Sequence, residues 1–377
     1  MQSRDSVFNV PALRFPEFSG EWSKDYLSEF LEVQPARNTQ GIYSKNDVLS
    51  VSGDYGVVNQ IELLGRSFAG KDVSNYHIVR INDIVYTKSP LKEFPYGIVK
   101  TNQGADGIVS TLYAVYSAKS NTVPKFVEYY FSSKERTNKY FKPIVRIGAK
   151  HDMKIGNEEV LRNIVIFPSR QEQHKIQEFL RIIDERISTQ SKIIEEQETL
   201  LKSLADKLIS SQVANVALCD CVEAKASTMK ESELESYGIF PVYGASGLCG
   251  NTSVSLEHSD SILITKDGSG VGTCQYATGK HSFLGTLCSL TAKENVYLPY
   301  IYYALLNFNF ASYKTGLAIP HIYFKDYGKA TIYCPSYEEQ VRIASGLERL
   351  DAKINADIEI LKQYRLQKEY LLSRMFI

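Results

Sequence analysis

The residues of this sequence that look most capable of chemistry form a glycine-rich run in its second half. The run Lys266–Gly272 carries three alternating glycines directly after the apolar stretch Ile262–Ile264. Such a run can cradle phosphate groups when it opens a helix. The residues that follow have no helical pattern, and Gly279-Lys280 precedes a histidine where a Walker loop requires serine or threonine. The run therefore predicts a tight turn and not a nucleotide site.

The usual catalytic and metal-binding signatures are absent from the sequence. No Asn-Pro-Pro-aromatic motif of an adenine methyltransferase occurs, and no compact Asp…Glu-x-Lys nuclease site stands out. The six histidines are dispersed, and Cys219-x-Cys221 is too closely spaced for the usual zinc knuckle. We expect a chain with no catalysis, metal or cofactor of its own. A free-standing DNA-modifying enzyme remains the remotest alternative.

Composition favours a reduced, cytoplasmic protein of two domains. All six cysteines lie in the second half of the 377 residues, which does not suit a disulfide framework. The first residues lack the apolar segment of a signal peptide, and no run of 18 apolar residues occurs. At this length two domains plus connecting elements are the natural expectation.

The polar residues that remain in the second half suit contact with nucleic acid. Three glycines in the run Lys266–Gly272 let the backbone approach a groove closely, and its polar side chains could meet base edges or phosphates. A plain hairpin turn is the alternative. His321 could equally be a structural histidine with an internal partner. The candidate DNA-binding residues here are Lys266, Asp267, Ser269, Lys280, Lys314 and His321.

The first half carries a basic segment that suits phosphate contact. From Lys134 to Lys154 there are seven basic and two acidic residues, a net charge of +5, with Tyr140 and Phe141 interleaved. A solvated basic face with no ligand is the alternative. The candidate DNA-binding residues here are Lys88, Lys139, Lys142, Arg146, Lys150 and Lys154.

The net charge counts against a DNA-binding protein that acts alone. The chain has 43 basic and 43 acidic residues, whereas free-standing DNA-binding domains are usually strongly basic. Residues 1–168 have 21 basic and 18 acidic residues, net +3, and residues 213–335 have 8 and 10, net −2. Partner subunits are therefore expected to supply much of the phosphate contact.

An internal repeat organises the chain. Residues 163–187 recur as residues 330–354, displaced by 167 positions and in register. Each copy begins with Pro-Ser-x-x-Glu-Gln after a short apolar strand. Ser169-x-x-Glu172 and Ser336-x-x-Glu339 read as capping boxes, in which serine accepts from the N3 amide and glutamate reaches back to the cap amide.

A heptad pattern follows each cap and predicts two long helices that pair as a coiled coil. Polar residues interrupt the apolar seam at Gln190, Gln197, Asp357 and Lys368, which would fix the register at some cost in stability. Leu208 occupies the last seam position of the first helix. Packing of each helix on its own domain is the alternative. The predicted helix-pairing residues are Ile176, Leu180, Ile183, Ile187, Ile194, Leu201, Leu204, Ile343, Leu347, Leu350, Ile354, Leu361 and Leu371.

The segments before the two helices are related as well, more weakly. Each has a strand that ends in Thr-Lys, at Lys88 and Lys266, and later an aromatic helix, from Pro124 in one and Pro299 in the other. The sequence thus reads as domain, helix, domain, helix. We expect an α/β (α+β) fold with domains at 1–168 and 213–335 and helices at 169–212 and 336–377.

At this point the sequence resembles the specificity subunit of type I restriction–modification systems. The resemblance rests on Val-Pro-Ala-Leu-Arg-Phe-Pro-Glu-Phe-Ser-Gly-Glu-Trp at 10–22 and on both Pro-Ser-x-x-Glu-Gln-x-Lys/Arg-Ile helix starts. Thr265-Lys-Asp-Gly268 and Gly316…Pro320-His321-Ile322 look like its recognition-domain pattern. It implies two target-recognition domains and two antiparallel helices, and the duplicated helix unit predicts an internal pseudo-twofold repeat.

The resemblance also implies the partners. Each domain would read one half of a split double-stranded DNA site, and two methyltransferase (modification) subunits and restriction/translocase subunits would join the chain. S-adenosylmethionine, ATP and magnesium would then be bound by the partner subunits. The first domain has Arg146–His151 where the second has Thr315–His321, which suggests an asymmetric target. A coiled-coil assembly scaffold that reads no sequence remains an alternative.

The helix length predicts a spacer between the two half-sites. Residues 169–211 as one helix would span roughly 65 Å at about 1.5 Å per residue, which sets an upper bound of about 19 base-pair steps at roughly 3.4 Å each. Because the domains are expected to lean inward, we expect half-sites about one helical turn apart. Inserting one heptad into both helices should lengthen the unread spacer of the methylated motif, measured by methylome sequencing. A footprint with one contiguous target and no spacer would contradict this arrangement.

Overall fold

The computed structural model describes residues 9–91, 93–147, 153–316 and 319–377, which fall into two compact units. Unit 1 runs to Ser188 and also contains Lys362–Ile377, and unit 2 is Thr189–Leu361. Each unit mixes helices with short strands, as the sequence predicts. Each also takes a share of both long helices, so the four-part division of the sequence stays a prediction.

Unit 1 consists of short strands, four short helices and parts of both long helices. Its strands are β1 (Ser23–Tyr26), β2 (Leu31–Val33), β3 (Leu49–Ser52), β4 (Gly56–Asn59), β5 (His77–Val79), β6 (Ile84–Thr87), β7 (Val99–Thr101), β8 (Gly107–Val109), β9 (Tyr113–Ala118), β10 (Arg146–Ile147), β11 (Met153–Lys154) and β12 (Ile164–Phe167). Its helices are α1 (Gln60–Leu64), α2 (Pro124–Tyr130), α3 (Lys134–Phe141), α4 (Asn157–Val160) and the first part of α5 (Arg170–Ala205).

Unit 2 contains the rest of α5 and a second set of short elements. Its strands are β13 (Val216–Ala217), β14 (Val222–Ala226), β15 (Phe240–Gly244), β16 (Gly247–Thr252), β17 (Ser261–Thr265), β18 (Cys274–Ala277), β19 (Ser282–Phe283), β20 (Leu287–Ala292) and β21 (Thr331–Ile332). Its helices are α6 (Leu218–Cys221), α7 (Leu298–Leu306), α8 (Phe324–Tyr327) and the first part of α9 (Tyr337–Arg374), whose last residues belong to unit 1.

Both units contain a four-stranded antiparallel sheet with the same strand order. The order is β2-β9-β6-β7 in unit 1 and β14-β20-β17-β18 in unit 2. The inner strands β6 and β17 are buried along their whole length. In each unit an outer pair, β1 with β12 or β13 with β21, joins the start of the domain to the residues just before a long helix. The sequence repeat is therefore a repeat of the fold.

A buried glutamine attaches each long helix to its domain. The Gln173 side chain accepts from the Val123 amide at 2.9 Å and donates to the Pro168 carbonyl at 3.0 Å. The Gln340 side chain accepts from the Tyr297 amide at 2.9 Å and donates to the Pro335 carbonyl at 2.8 Å. Val123 and Tyr297 are the N-caps of the aromatic helices α2 and α7, whose first amides have no partner within their own helix. The second aromatic helix thus starts one residue before the proline that the sequence suggests.

The long helices α5 and α9 pair in antiparallel fashion along the predicted seam. Each of the predicted helix-pairing residues is buried or half-buried. The polar interruptions of the seam bind one another. Gln197 donates to the Asp357 carboxylate at 2.9 Å, Gln190 donates to the Asp357 carbonyl at 3.4 Å, and Lys368 forms an ion pair with Asp184 at 2.6 Å. Because a shift by one heptad would separate these groups, they fix the register.

One predicted seam position is wrong. Leu208 is 39% exposed, and its neighbour Ile209 is buried in its place. The helix changes at Asp206–Ser210 to a wider turn, in which the Ser211 amide donates to the Asp206 carbonyl at 2.8 Å. A wider turn holds one more residue than an α-helical turn, so the inward-facing position moves forward by one.

The predicted capping boxes form only in part. Ser169 accepts from the Glu172 amide at 3.4 Å, but the Glu172 carboxylate does not reach back as a capping box requires. It accepts from Arg14 Nε and Nη2 at 2.7 Å each and from Trp22 Nε1 at 3.3 Å. In the second copy Glu339 binds Arg342 instead. A paired guanidinium offers two charge-assisted bonds, which outweigh one bond to an amide.

The Arg14–Glu172 pair attaches the N-terminal segment to the start of α5. Glu172 is 1% exposed, and the Leu13 amide donates to the Arg374 carbonyl at 2.9 Å. Phe15 packs edge-on against Phe179 with ring centroids 5.6 Å apart. The segment that resembles a family signature thus packs against the core of unit 1 through Phe15 and Trp22.

Among the residues that the structure describes, no helix combines the length and the apolar character needed to cross a membrane.

Replacement of Arg14 by methionine should destabilise unit 1 by about 3 kcal/mol, because it leaves a buried carboxylate without its cation. Trp22 is the only tryptophan and contacts Glu172, so its fluorescence during urea denaturation measures this unit. Lys175→Met is the matched control, since its pair with Glu17 is half exposed and should contribute less than about 1 kcal/mol. Equal midpoints for the two variants would contradict the assignment.

Candidate nucleic-acid interface

The glycine-rich run of unit 2 is a tight loop between two paired strands. It joins β17 to β18, with Ile264 opposite Cys274, so the hairpin turn that the sequence allows is present. The Gly272 amide donates to the Thr265 carbonyl at 2.8 Å. Gly272 has a φ of +93°, and a Cβ atom there would lie 2.7 Å from the Cβ of Phe310. Both constraints require glycine at this position, which fixes the path of the loop.

A second loop, around His321, packs beside this hairpin loop. Thr315 and His321 exchange two backbone hydrogen bonds of 2.9 and 2.8 Å. The Ile322 amide donates to the Lys266 carbonyl at 2.9 Å, and the Gly268 amide donates to the Pro320 carbonyl at 3.0 Å. These two segments thus form one surface, which we name the loop pair of unit 2 (266–272 together with 314–316 and 319–323).

His321 has an internal partner. Its Nδ1 lies 2.7 Å from Asp267 Oδ1, and because a carboxylate only accepts, this nitrogen donates. The pair links the two loops, and about a third of each side chain is still exposed, 36% for His321 and 31% for Asp267. Lys266 Nζ lies 4.0 Å from Asp267 Oδ2. Asp267 therefore positions a cation and a ring, and both can still reach a ligand.

The loop pair brings together most but not all of the predicted residues. Ser269 and Lys314 are exposed on it. Lys280 lies at the opposite end of the hairpin, where the neighbouring Gly279 amide donates to Asp260 just before β17. Lys280 therefore does not belong to the same surface as Lys266.

Tyr323 and Lys325 complete the surface and were not among the predicted residues. Tyr323 is 48% exposed, and Lys325 Nζ lies 5.4 Å from the centre of its ring. An exposed ring beside a cation is a suitable stacking surface for a base. Alternation of buried and exposed side chains could have indicated the exposure of Tyr323. This residue has an extended backbone and directly follows the buried Ile322.

Unit 1 has a corresponding surface with different side chains. Lys88 follows β6 as Lys266 follows β17, and its Nζ donates to Asn157 Oδ1 at 2.5 Å. Burial lowers the pKa of Lys88. At the point in the chain that corresponds to the His321 loop, unit 1 has the paired strands β10 and β11. Lys150 lies outside the described residues.

Two cations stand side by side on this hairpin. Arg146 and Lys154 are direct partners across the two strands, and both are exposed. Like charges opposite each other in a ladder repel, so the pair is stabilised when an anion such as a phosphate lies between them. The predicted phosphate contact is therefore centred best on Arg146 and Lys154, with Lys139 and Lys142 exposed on and just after α3.

Three residues of the basic segment belong to the core instead. Tyr140 and Phe141 are 4% and 0% exposed, so their predicted place between surface cations is wrong. Arg136 is half-buried and donates to the carbonyls of Tyr130 and Leu372 at 2.9 and 2.8 Å. Burial lowers the pKa of Arg136 to about 10. The helix α3 is amphipathic, so its inner face takes these residues and only its outer cations are free for phosphate.

The second half of the chain matches a known family. Residues 211–363 match the family model described as the type I restriction modification DNA specificity domain. A curated relative is the type I restriction enzyme EcoprrI specificity subunit of Escherichia coli, 23% identical over 135 residues. The match covers 36% of this chain and about a third, 33%, of that protein.

Solved structures share the fold over nearly the whole chain. The S subunit of a type I restriction–modification system from M. genitalium superposes with a TM-score of 0.64 at 18% identity, covering 98% of this chain and 99% of that one. A chain from a structure of the type I R-M system in complex assembly and conformational transition gives 0.55 at 15% identity, covering 94% and 97%. Residues 211–363 thus match a type I restriction modification DNA specificity domain, and the chain shares the fold of these solved structures over nearly its whole length.

Proposed function

We propose that this chain is the DNA sequence-reading subunit of a type I restriction–modification complex and has no catalytic activity of its own. It recognises a bipartite double-stranded target with an unread spacer. Two methyltransferase subunits and the restriction/translocase subunits dock on it in the cytoplasm. S-adenosylmethionine, ATP and magnesium are bound by those partners.

The duplicated sheet with its two different loop surfaces carries this proposal. Each copy places a lysine after the inner strand, Lys88 or Lys266, and a later segment of the chain binds it, at Asn157 in unit 1 and at Ile322 in unit 2. The scaffold is the same while the exposed side chains differ, which suits two domains that read different half-sites. Base edges are read by such exposed polar groups, whereas cations such as Arg146 hold the phosphates.

The neutral net charge supports assembly with partners. The chain has 43 basic and 43 acidic residues, and the domain at 213–335 is net acidic, so tight binding needs phosphate contacts from other subunits. Exchange of the domains separates the proposal from a scaffold that reads no sequence. A scaffold would leave DNA specificity unchanged when its domains are exchanged.

Exchange of residues 1–168 for the first domain of a relative with another target should change one half of the methylated motif and leave the other half unchanged. Each domain is a separate copy of the fold, so the half-sites are read independently. Methylome sequencing of the host measures the motif. A change in both halves of the methylated motif, or in neither, would contradict the proposal that each domain reads one half.

The double variant Arg146→Gln/Lys154→Gln should weaken DNA binding of the assembled complex to all sequences alike. It should also reduce the slope of log affinity against log salt concentration by about one to two, because it removes two phosphate contacts. Fluorescence anisotropy over a salt series measures both. Lys24→Gln/Arg162→Gln removes the same charge from exposed positions of unit 1 and serves as the control. A slope no different from that control would show that the hairpin does not touch phosphate.

A further inference from the structure

Unit 2 contains an acidic pocket that the DNA-reading surface does not use. It lies between the aromatic helix α7 and the long helix α9 and has a volume of about 420 Å³. Tyr276, Tyr302 and Tyr303 line one side, and Glu348 and Asp351 line the other. We name these five residues the acidic pocket.

Within the part of the chain that the structure describes, the two carboxylates of the acidic pocket have no cation as a partner. Asp351 accepts a hydrogen bond from Tyr303 Oη at 3.5 Å, and Glu348 accepts from Tyr297 Oη at 3.3 Å. Across the described part of the chain, no Lys or Arg lies within ion-pair distance of either. Both side chains are only half exposed, and burial raises the pKa of Asp351. A charge held in this way is more stable with a partner of opposite sign.

The equivalent place in unit 1 is filled by an ammonium group. Tyr129 Oη donates to Asp184 Oδ2 at 2.7 Å, and Lys368 Nζ forms an ion pair with Asp184 Oδ1 at 2.6 Å. The same Nζ lies 5.9 Å from the centre of the Tyr129 ring. A carboxylate and a tyrosine in this arrangement thus bind a lysine side chain.

The two places correspond residue by residue. Asp184 and Asp351 are separated by the repeat of 167 positions, and Tyr129 and Tyr303 each lie six residues after the N-cap that the buried glutamine binds. The counterpart of Lys368 is Leu201, which belongs to the same buried cluster as Tyr303. Unit 2 thus keeps the carboxylate and the ring and has lost the lysine.

A second change makes the unit 2 pocket more acidic. Arg181, near Asp184, has Glu348 as its counterpart 167 positions later. Lys125 lies 5.4 Å from the ring centre of Tyr129, whereas its counterpart is Pro299. In unit 1 Lys368 pairs with the carboxylate itself, and Lys125 and Arg181 lie nearby in ion pairs of their own. Among the described residues that line the copy in unit 2 there are two carboxylates and no Lys or Arg.

We propose that the acidic pocket binds the side-chain ammonium of a lysine on a partner polypeptide. The partner is the methyltransferase subunit, and this assignment rests on the proposed function. In unit 1 the equivalent site binds the side chain of a lysine on a neighbouring helix. We therefore expect the ligand in unit 2 to be a lysine side chain that enters from an adjacent polypeptide. Ala352 and Asn355 are exposed at the rim of the pocket, which leaves the surface of α9 open to another chain.

Binding of the methyltransferase subunit to the full-length chain tests the docking. The variant Glu348→Gln/Asp351→Asn keeps the size of both side chains and removes their charge, and it should bind about tenfold more weakly. The control Glu223→Gln/Glu294→Gln removes the same charge from exposed positions of unit 2 and should bind like the wild type. If the pocket variant binds as tightly as the control, the docking proposal is overturned while the proposed function stands.

A small probe tests the pocket without the methyltransferase subunit. N-acetyl-lysine methylamide should cause saturable shifts of the Tyr303 resonance in tyrosine-labelled full-length protein, assigned with Tyr303→Phe. The norleucine analogue, which has no ammonium, should cause none. Equal shifts with both probes, or shifts that persist in the pocket variant, would overturn the ammonium site. Failure of the methyltransferase subunit to bind wild-type chain would contradict the proposed function, and the probe alone would then decide the pocket.

Discussion

The buried glutamine at the start of each long helix is the contact on which the rest of each unit depends. Gln173 and Gln340 are 0% and 2% exposed, and each binds the N-cap amide of an aromatic helix and the carbonyl of the preceding proline. A buried amide side chain is costly unless its hydrogen bonds are made. The aromatic helix and the long helix of each unit therefore hold one fixed orientation. The loops that follow the inner strands inherit it.

The two units share this fold and differ in the charged side chains that they carry. Glu172 is buried with Arg14, while its counterpart Glu339 pairs at the surface with the neighbouring Arg342. Arg146 faces Lys154 in unit 1, where unit 2 has a histidine bound to Asp267. Packing contacts tolerate little change, whereas exposed groups can change at low cost. A duplicated domain can thus acquire two specificities without losing its fold.

The sequence predicted what depends on local pattern. The seam of the long helices and the mixed fold follow from periodicity and repetition. It failed where tertiary contacts outweigh a local rule. Glu172 does not complete its predicted capping box because it pairs with Arg14. That arginine is 158 positions away in the chain and adjacent in the fold. Arg136, Tyr140 and Phe141 read as a basic aromatic surface, yet the amphipathic helix turns them inward. The wider turn at Asp206–Ser210, which moves Ile209 inward, has no signal in the heptad count.

Unit 1 is built from two separate stretches of the chain, which affects the order in which the two units fold. Unit 2 is one continuous stretch, Thr189–Leu361. The core of unit 1, by contrast, includes Phe376, whose ring lies 5.3 Å from that of Phe126, and Arg136 binds the Leu372 carbonyl. Because domains fold as they leave the ribosome, the domain that is synthesised first is the one that is completed last. A chain that stops before residue 362 lacks the final part of the first core.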